Sequence, residues 1–388
     1  MKKITTALLI ATIFSVASAF AQSGTTGPLT WVLENGTLTI SGEGEMPYYF
    51  PDDSGYPPWF SYRGSIKSIV IEKGVTHIGS YAFHACLNMT SVTIDNSVTT
   101  IGNYTFNHCG QLTSIIIPNS VTSIGNGVFS ECRSLTSVKL SNNLTSISKD
   151  TFTACTSLTS IIIPNSVTDI GNYAFYGCRS LTSIIIPNSV TDIGLYAFCN
   201  CISLPSIVIP NSVASIKRGT FFDCQRLTSI IIPGSVKSIG DFAFGRTNLT
   251  LITNLNPVPV EITLDVFDGV NQSECTLQVP INSVSAYQNA PVWKKFNIEG
   301  IEVGIEDIET DVVKIYPNPT TGELRIENGE WKIKNIEIYD VYGRNVSQIS
   351  NLKSQISNLI NISHLQAGIY FVKISTEAGV VTKKIVKN

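Results

Sequence analysis

Charged side chains are scarce in this sequence. Asp, Glu, Lys and Arg make up 14% of the 388 residues, whereas globular proteins average about 25%. The 26 basic and 29 acidic residues give a formal net charge of −3. This composition argues against long charged disordered segments and provides no basic surface for nucleic acid. The sequence therefore excludes a nucleic-acid partner.

Chemically reactive residues are also few. The four histidines occur in no His-Glu-x-x-His motif, and the chain has no phosphate-binding loop or Gly-x-Ser-x-Gly motif. Nine cysteines in 388 residues are too few for a disulfide-dense scaffold. The sequence predicts a protein that acts by binding and is not an enzyme, with no cofactor and no metal.

The N-terminus carries the chain's strongest targeting signal. Lys2 and Lys3 precede an apolar run from Ala7 to Ala17, and small residues follow at Ala19 and Ala21. This pattern is typical of a secretory signal peptide, predicted here over residues 1–21 with cleavage after Ala21. A membrane anchor is the alternative, but the run is shorter than the roughly 20 residues that a span needs. The mature chain is therefore predicted to have no transmembrane segment.

The middle of the chain is one motif copied eight times at intervals of 23 residues. Position 13 of every copy is Ile, position 18 is Phe, and position 21 is Cys in seven copies. Such columns are expected if each copy forms one turn of a solenoid whose inward side chains stack on those of the next turn. The predicted repeat region spans residues 66–254. Its copies begin at Ile66, Met89, Leu112, Leu135, Leu158, Leu181, Leu204 and Leu227.

Within one copy, the β-branched segment Ser160–Ile163 predicts a strand, Thr168–Ile170 a shorter strand and Asn172–Gly177 a helical turn. Positions 1, 4, 6, 10, 13, 18 and 21 are predicted to point inward. A single turn cannot bury enough apolar surface to stand alone, so the ends need caps. These are predicted at residues 22–65, with a hairpin around Asn35-Gly36, and 255–301, with a helix over Tyr287–Phe296.

The cysteine column is predicted to consist of buried free thiols. Adjacent turns lie about 4.8 Å apart, and parallel Cβ vectors at that spacing are too far apart for a good disulfide. His84 and His108 near the column suggest zinc, but their spacing matches no ligand motif. Cys199 lies outside the column and is expected to be an exposed thiol, while Cys275 is unassigned.

Position 5 of most copies is apolar and position 3 is Ser throughout, and both are predicted to face outward on the strand ladder. An exposed apolar stripe flanked by hydroxyls is typical of an interaction surface. Strand propensity in a recently duplicated repeat is the alternative explanation. Aromatic side chains at position 16 form a second outward column, for which packing at the rim of the core is favoured. The candidate ligand-binding residues are Ile116, Ile162, Ile185, Val208, Ile231, Ser160, Ser183 and Ser229.

The period ends at an acidic linker over residues 302–311. Residues 312–388 carry three strand–turn–strand patterns, which predict a small antiparallel β-sandwich. The fold class is therefore predicted as α/β and β-rich: a solenoid of 23-residue repeats with N- and C-terminal caps, followed by a small antiparallel β-sandwich.

The repeat resembles the BspA-like leucine-rich repeat of microbial surface proteins. The shared motif is Leu-x-x-Ile-x-Ile-Pro-x-Ser-Val-x-x-Ile-Gly-x-x-Ala-Phe-x-x-Cys, and the flanking caps over residues 27–301 are also similar. The resemblance implies adhesion to host or microbial partners but carries no shared ligand motif. The expected function is an adhesin-like module that binds a protein or glycan along the solenoid face. The alternative is a structural surface-layer or biofilm-matrix component without a specific ligand.

The last domain resembles the type A C-terminal sorting domain of the type IX secretion system of Bacteroidetes. The resemblance implies that the secretion machinery is a partner and that the chain passes through the periplasm to the outer-membrane surface or the medium. It also implies cleavage of the domain, followed by release or anchoring on lipopolysaccharide. A plain adhesive β-module is the alternative. A tandem segment over residues 347–360 departs from the family pattern. The matching positions include Pro317, Asn318, Pro319, Gly322, Gly343, Gly368, Tyr370, Lys383 and Lys384.

Overall fold

The computed structural model describes residues 21–50, 55–302, 314–316, 318–327, 333–340, 345–349, 357–376 and 380–387. The chain forms two compact units, whose boundary lies between Ile301 and Glu302. The predicted signal peptide up to residue 20 lies outside the described residues, as do residues 303–311 of the predicted linker, Pro317 and Gly343. Cleavage after Ala21 stays a prediction.

Four strands form the N-terminal end of the first unit. The predicted hairpin is confirmed, because the strand Leu29–Glu34 pairs antiparallel with the strand Thr37–Gly42 around Asn35 and Gly36. Both turn residues have positive φ, as such tight hairpin turns require. The last strand of this hairpin then pairs in parallel with the first repeat strand, so the cap covers the open edge of the solenoid sheet. These strands are β1 (Gln22–Thr26), β2 (Leu29–Glu34), β3 (Thr37–Gly42) and β4 (Gly44–Glu45).

Each repeat contributes a longer and a shorter strand. Equivalent strands of neighbouring copies pair in parallel at four of the seven interfaces between longer strands and at five of the seven between shorter strands. Ser160 aligns with Ser183 and Ile162 with Ile185, a shift of one full repeat. The longer strands are β5 (Ser68–Ile71), β7 (Ser91–Ile94), β9 (Ser114–Ile116), β11 (Ser137–Lys139), β13 (Ser160–Ile162), β15 (Ser183–Ile185), β17 (Ser206–Val208) and β19 (Ser229–Ile232). The shorter strands are β6 (Val75–Ile78), β8 (Thr100–Ile101), β10 (Ser123–Ile124), β12 (Ser146–Ile147), β14 (Asp169–Ile170), β16 (Asp192–Ile193), β18 (Ser215–Ile216) and β20 (Ser238–Ile239).

The predicted inward columns form the core. In the copy that begins at Leu158 all seven predicted positions are buried. Position 17, which the sequence pattern did not single out, is buried as well, because Ala174 and Ala197 are fully covered. The seven residues are Leu158, Ile161, Ile163, Val167, Ile170, Phe175 and Cys178.

The phenylalanine column is a continuous stack of buried rings. Neighbouring ring centroids lie 5.3–5.8 Å apart with nearly parallel planes. A tryptophan ends the stack on each side: Trp59 lies against the first ring, and Trp293 meets the last ring edge-on. Each ring is therefore covered by aromatic surface from both neighbouring turns. The stacked residues are Phe83, Phe106, Phe129, Phe152, Phe175, Phe198, Phe221, Phe244 and Phe267.

The helical turn predicted within each copy is wrong in its hydrogen bonding. Residues 172–177 form consecutive hydrogen-bonded turns, not a helix. Alternate amides bond differently: the Ala174 amide donates within its own turn to the Gly171 carbonyl, whereas the Phe175 amide donates to the Ala197 carbonyl of the next copy. The segment therefore turns the chain and also hydrogen-bonds to the next copy. A helix could not do both, because its amides bond to carbonyl groups of the same segment.

This alternation places two residues of every copy in the left-handed region, with φ between 53° and 68°. Most of them are not glycine, so the repeat pattern contains little sign of this conformation. Left-handed backbone costs a residue with a Cβ roughly 1–2 kcal/mol. At position 16 these residues are Tyr81, Tyr104, Gly127, Asp150, Tyr173, Tyr196, Gly219 and Phe242; at position 20 they are Ala85, His108, Glu131, Ala154, Gly177, Asn200, Asp223 and Arg246.

Replacement of Ala154 by glycine is expected to stabilise the solenoid by about 1 kcal/mol, because its φ is 56° and glycine is unstrained there. A shift of the urea unfolding midpoint to higher concentration measures this effect. The matched control is Ala174→Gly, at a buried position without positive φ, which should move the midpoint the other way. A destabilised Ala154→Gly variant would contradict the strain assigned to this turn.

The C-terminal cap extends the parallel sheet of the solenoid and ends it. The predicted helix over Tyr287–Phe296 is wrong in its bounds, because the helix ends at Asn289. Ala290 is extended, as expected for the residue before Pro291, and a separate 3-10 turn follows at Trp293–Lys295. The cap elements are β21 (Leu251–Asn254), β22 (Thr276–Pro280), α1 (Val284–Asn289) and β23 (Asn297–Ile301), with further 3-10 turns at Leu264–Phe267 and Ile281–Ser283; one more lies at Phe60–Tyr62 near the N-terminal end.

The described residues of the second unit form two antiparallel sheets that share one apolar core, as predicted for a small sandwich. One sheet contains, in order, the strands Lys314–Tyr316, Glu323–Glu327 and Ser357–Asn361. The other contains, in order, Asn345–Ile349, Ile333–Asp340, Gly368–Thr376 and Val380–Lys387. Ile326 and Ile360 from the first sheet lie in the same core as Ile338 and Val372 from the second. The strands are β24 (Lys314–Tyr316), β25 (Glu323–Glu327), β26 (Ile333–Asp340), β27 (Asn345–Ile349), β28 (Ser357–Asn361), β29 (Gly368–Thr376) and β30 (Val380–Lys387).

Candidate binding face of the solenoid

Position 5 of the repeat forms an exposed apolar column on the outer side of the longer strands. The side chain of Ile162 is 80% exposed and that of Ile116 is 63% exposed, while Val208 and Ile231 are about half exposed at 49% and 46%. Ile185 is half-buried. Full burial of such a side chain is worth about 1.5–3 kcal/mol, so these residues forgo stabilisation that a partner could supply. We call Ile162, Ile185, Val208 and Ile231 the apolar stripe.

The ends of the apolar stripe are polar. In the copy that precedes the one with Ile162, position 5 is Lys139, which pairs with Ile116 of the copy before that. In the turn after Ile231 it is Thr253. Four successive apolar turns about 4.8 Å apart therefore give a stripe one side chain wide and about 14 Å long.

Hydroxyl groups line one side of the apolar stripe. Ser160 and Ser183 are exposed and Ser229 is half-buried, and their side chains make no hydrogen bond with any described residue. Their donors and acceptors are thus available to a ligand. The threonines at position 2 differ, because the Thr182 hydroxyl donates to the Thr159 carbonyl at 3.2 Å. The Thr90 and Thr136 hydroxyls likewise donate to the Lys67 and Thr113 carbonyls. These three threonines each join two turns, a role that the sequence pattern did not reveal.

The cysteine column is internal to the fold. All nine cysteines are free and buried, and six of the column thiols donate to a phenylalanine carbonyl of the preceding copy at 3.1–3.2 Å. Burial raises the pKa of the Cys132 thiol to about 12, so these groups stay protonated donors. The column stabilises the coil and presents no nucleophile.

The expected exposure of Cys199 is wrong, because only 5% of this residue is accessible. Cys199 occupies position 19, which holds Tyr176 in the preceding copy and Phe222 in the next. Burial raises the pKa of Cys199 to about 12.

The two histidines near the column contact each other edge to face and do not form a metal-binding group with the thiols. The rings of His84 and His108 lie edge to face with centroids 5.7 Å apart. Burial and the neighbouring His108 lower the pKa of His84, which favours the neutral ring. In the described part of the chain, no three His, Cys, Asp or Glu side chains are grouped closely enough to hold a metal ion.

The aromatic residues at position 16 pack at the rim of the core. Tyr81 stacks on Tyr104 and Tyr173 on Tyr196, with centroids 5.1 and 5.3 Å apart. Tyr104 then covers Gly127, where an added Cβ would lie 2.3 Å from its ring. The half-buried rings fit the packing role favoured for this column.

Several candidate sorting residues meet at the last strand of the second unit. Asn318 hydrogen-bonds to the backbone of β30, and Lys383 and Lys384 of that strand are exposed. Gly322 has a φ of +150° in the turn before β25, whereas Pro319 is exposed beside Asn318. Tyr370 is buried on β29, two residues after Gly368 at the start of that strand.

These features define a capped parallel β-solenoid built from 23-residue repeats and joined to a sorting-type β-sandwich. Comparison with protein families identifies both parts. Residues 57–181 and 145–273 match the BspA type leucine-rich repeat region, and residues 314–388 match the secretion system C-terminal sorting domain. The first match covers more than half of the chain, so the chain belongs to the BspA-type leucine-rich repeat family.

Solved structures of bacterial repeat proteins are similar to this chain. A leucine-rich cell surface protein from Faecalibacterium prausnitzii is 26% identical over 72% of this chain and 94% of its own, with a TM-score of 0.42. A leucine-rich repeat protein of T. pallidum is 23% identical over 56% of this chain and 86% of its own, with a TM-score of 0.38. The pneumococcal antigen PcpA is 17% identical over 73% and 99%, with a TM-score of 0.39. No curated protein matches the chain.

The sorting domain identifies the route and destination of the chain. The chain is exported by the type IX secretion system to the cell surface or the extracellular space, and the secretion machinery is therefore a partner. In the part of the chain that the structure describes, no helix is both long and apolar enough to cross a membrane.

Proposed function

We propose that the solenoid is an adhesin-like module that binds a protein or glycan along its strand face and performs no catalysis. The apolar stripe is the observation that carries this proposal, and Ile116 adds an exposed apolar side chain on the far side of Lys139. Aliphatic side chains exposed in consecutive turns form a continuous patch, and such patches often act as interaction sites. The hydroxyls of Ser160, Ser183 and Ser229 supply polar contacts beside it, which give an apolar surface its specificity.

A structural surface component without a specific ligand is the second candidate. It is favoured by the near-identity of the copies that begin at Leu158 and Leu181, because recent duplication alone would repeat isoleucine at position 5. Isoleucine also has high strand propensity. A defined ligand and a defined binding face separate the two candidates.

The test is a triple substitution of Ile162, Ile185 and Ile231 by lysine. Ile162 and Ile231 are exposed and Ile185 is half-buried, so the variant should fold with an unchanged circular dichroism spectrum. Binding to host matrix proteins or to an array of glycans, selected first with the unmodified chain, should weaken at least tenfold, because the lysines replace apolar contacts with charge.

The matched control adds the same three charges at position 22 of the repeat, through Leu87→Lys, Ile202→Lys and Gln225→Lys. Its affinity should stay within twofold of the unmodified chain. Equal affinity of the stripe variant and the unmodified chain would show that the apolar stripe is not the binding face. Failure of the unmodified chain to retain any protein or glycan would favour the structural component, and turnover of a substrate would contradict a purely binding role.

A further inference from the structure

The Asn318 side chain pairs with the last strand as if it were a piece of a neighbouring strand. Its Oδ1 accepts the Val386 amide hydrogen at 2.8 Å, and its Nδ2 donates to the Lys384 carbonyl at 2.9 Å. A carboxamide offers one acceptor and N–H donors in the same plane, as a backbone peptide group does. Asn318 thus satisfies two outward backbone groups of β30 that lie two residues apart.

The pairing continues through the backbone beyond Asn318. The Thr320 amide donates to the Val386 carbonyl at 2.9 Å, and Thr320 forms a parallel bridge with Lys387. Thr320 is itself held, because its buried hydroxyl donates to the Glu323 carbonyl at 2.7 Å and accepts the Gly322 amide at 3.1 Å. Residues 318–320 therefore form a fixed pairing surface for the end of β30.

This contact matters because β30 is an edge strand. Its other side pairs with β29 over its whole length, but the sheet has no further strand beyond it among the described residues. Ends of edge strands fray unless something pairs with them. Asn318 and Thr320 cover the groups of Lys384 and Val386, next to the exposed side chains of Lys383 and Lys384.

We propose that Asn318 is a positioning residue of the sorting domain. Its carboxamide holds residues 384–386 in the sheet, so that the secretion machinery meets Lys383 and Lys384 on an ordered strand. The proposal rests on the predicted role of these lysines in sorting, and it assigns Asn318 a role through the strand instead of through direct contact with the machinery.

The experiment compares Asn318→Ala and Asn318→Asp with the unmodified full-length chain. Hydrogen exchange followed by mass spectrometry should show at least tenfold faster exchange in the peptide that contains Val386 for Asn318→Ala, with β26 unchanged. Asn318→Asp should give an intermediate rate, because a carboxylate still accepts from Val386 but cannot donate to the Lys384 carbonyl. The surface-exposed fraction in cells with a type IX system should fall in the same order, several-fold for alanine.

The control is Asn361→Ala, which removes another asparagine of the same domain. Asn361 accepts hydrogen bonds from Ser363 and its side chain makes no hydrogen bond with β30 among the described residues, so exchange at Val386 should not change. Unaltered exchange in Asn318→Ala would refute the contact with the strand. Faster exchange with normal surface display would refute the positioning role, even if deletion of residues 314–388 still abolishes display and so leaves sorting by the domain intact. If the alanine variant does not accumulate, the aspartate variant decides by the same two readouts.

Discussion

Replacement of Phe175 by alanine is expected to lower the free energy of unfolding of the solenoid by about 3–5 kcal/mol. Phe175 is fully buried, and its ring centroid lies 5.4 Å from that of Phe152 and 5.3 Å from that of Phe198. Truncation opens a cavity that spans two turn interfaces and removes two aromatic contacts, each worth about 0.5–1.5 kcal/mol beyond the area that it buries. Urea unfolding of the chain, followed by circular dichroism, measures the effect.

The position of the substitution should matter as much as its size. A solenoid is stabilised by contacts between nearest neighbours, so a defect in the middle weakens the coupling between the two halves. We expect the Phe175→Ala variant to unfold in a broader transition than the unmodified chain. Phe222→Ala is the matched control, because Phe222 is only half-buried at position 19 and should cost about 1 kcal/mol or less. Equal destabilisation by both variants would contradict the larger contribution that we assign to the phenylalanine column.

Deletion of residues 314–388 is expected to abolish surface display almost completely. These residues match the sorting domain and form a unit with its own apolar core. The predicted signal peptide is retained, so the truncated chain should collect in the periplasm. Cell fractionation combined with protease treatment of intact cells measures the distribution.

The same deletion should leave the solenoid folded, because the core of the first unit contains no residue of the second. An unchanged urea midpoint of the truncated chain provides this control and separates a sorting defect from a folding defect. Surface display equal to that of the full-length chain would show that residues 314–388 are dispensable for sorting. Loss of the folded solenoid would instead show that the units depend on each other for stability.

Much of the fold could be predicted because its information is periodic. A side chain that points inward in one copy points inward in all of them, so Ile170 and Phe175 belong to columns that are visible in the amino-acid sequence alone. The same periodicity predicted the outward column that contains Ile162. It could not predict that Ile185 would be half-buried in the same column, because exposure depends on the side chains around it and not on register alone.

The turn segment and Cys199 were harder to predict for a different reason. Tyr173 and Ala154 carry no sequence sign of left-handed backbone, since that conformation is imposed by amides that bond to the next copy. Cys199 is buried although it lies outside the column of inward cysteines. Both outcomes depend on contacts between turns, which a single repeat does not contain.

The sequence by itself determined the repeat length, the inward columns, the capped ends and the sorting domain, because each corresponds to a local or periodic pattern of residue types. Only the tertiary structure decided that alternate turn amides form a ladder and that Asn318 pairs with a strand 66–68 residues further along the chain. Hydrogen bonds between segments far apart in sequence leave no regular spacing behind. Their existence follows from where folding brings the backbone, and so only the folded chain reveals them.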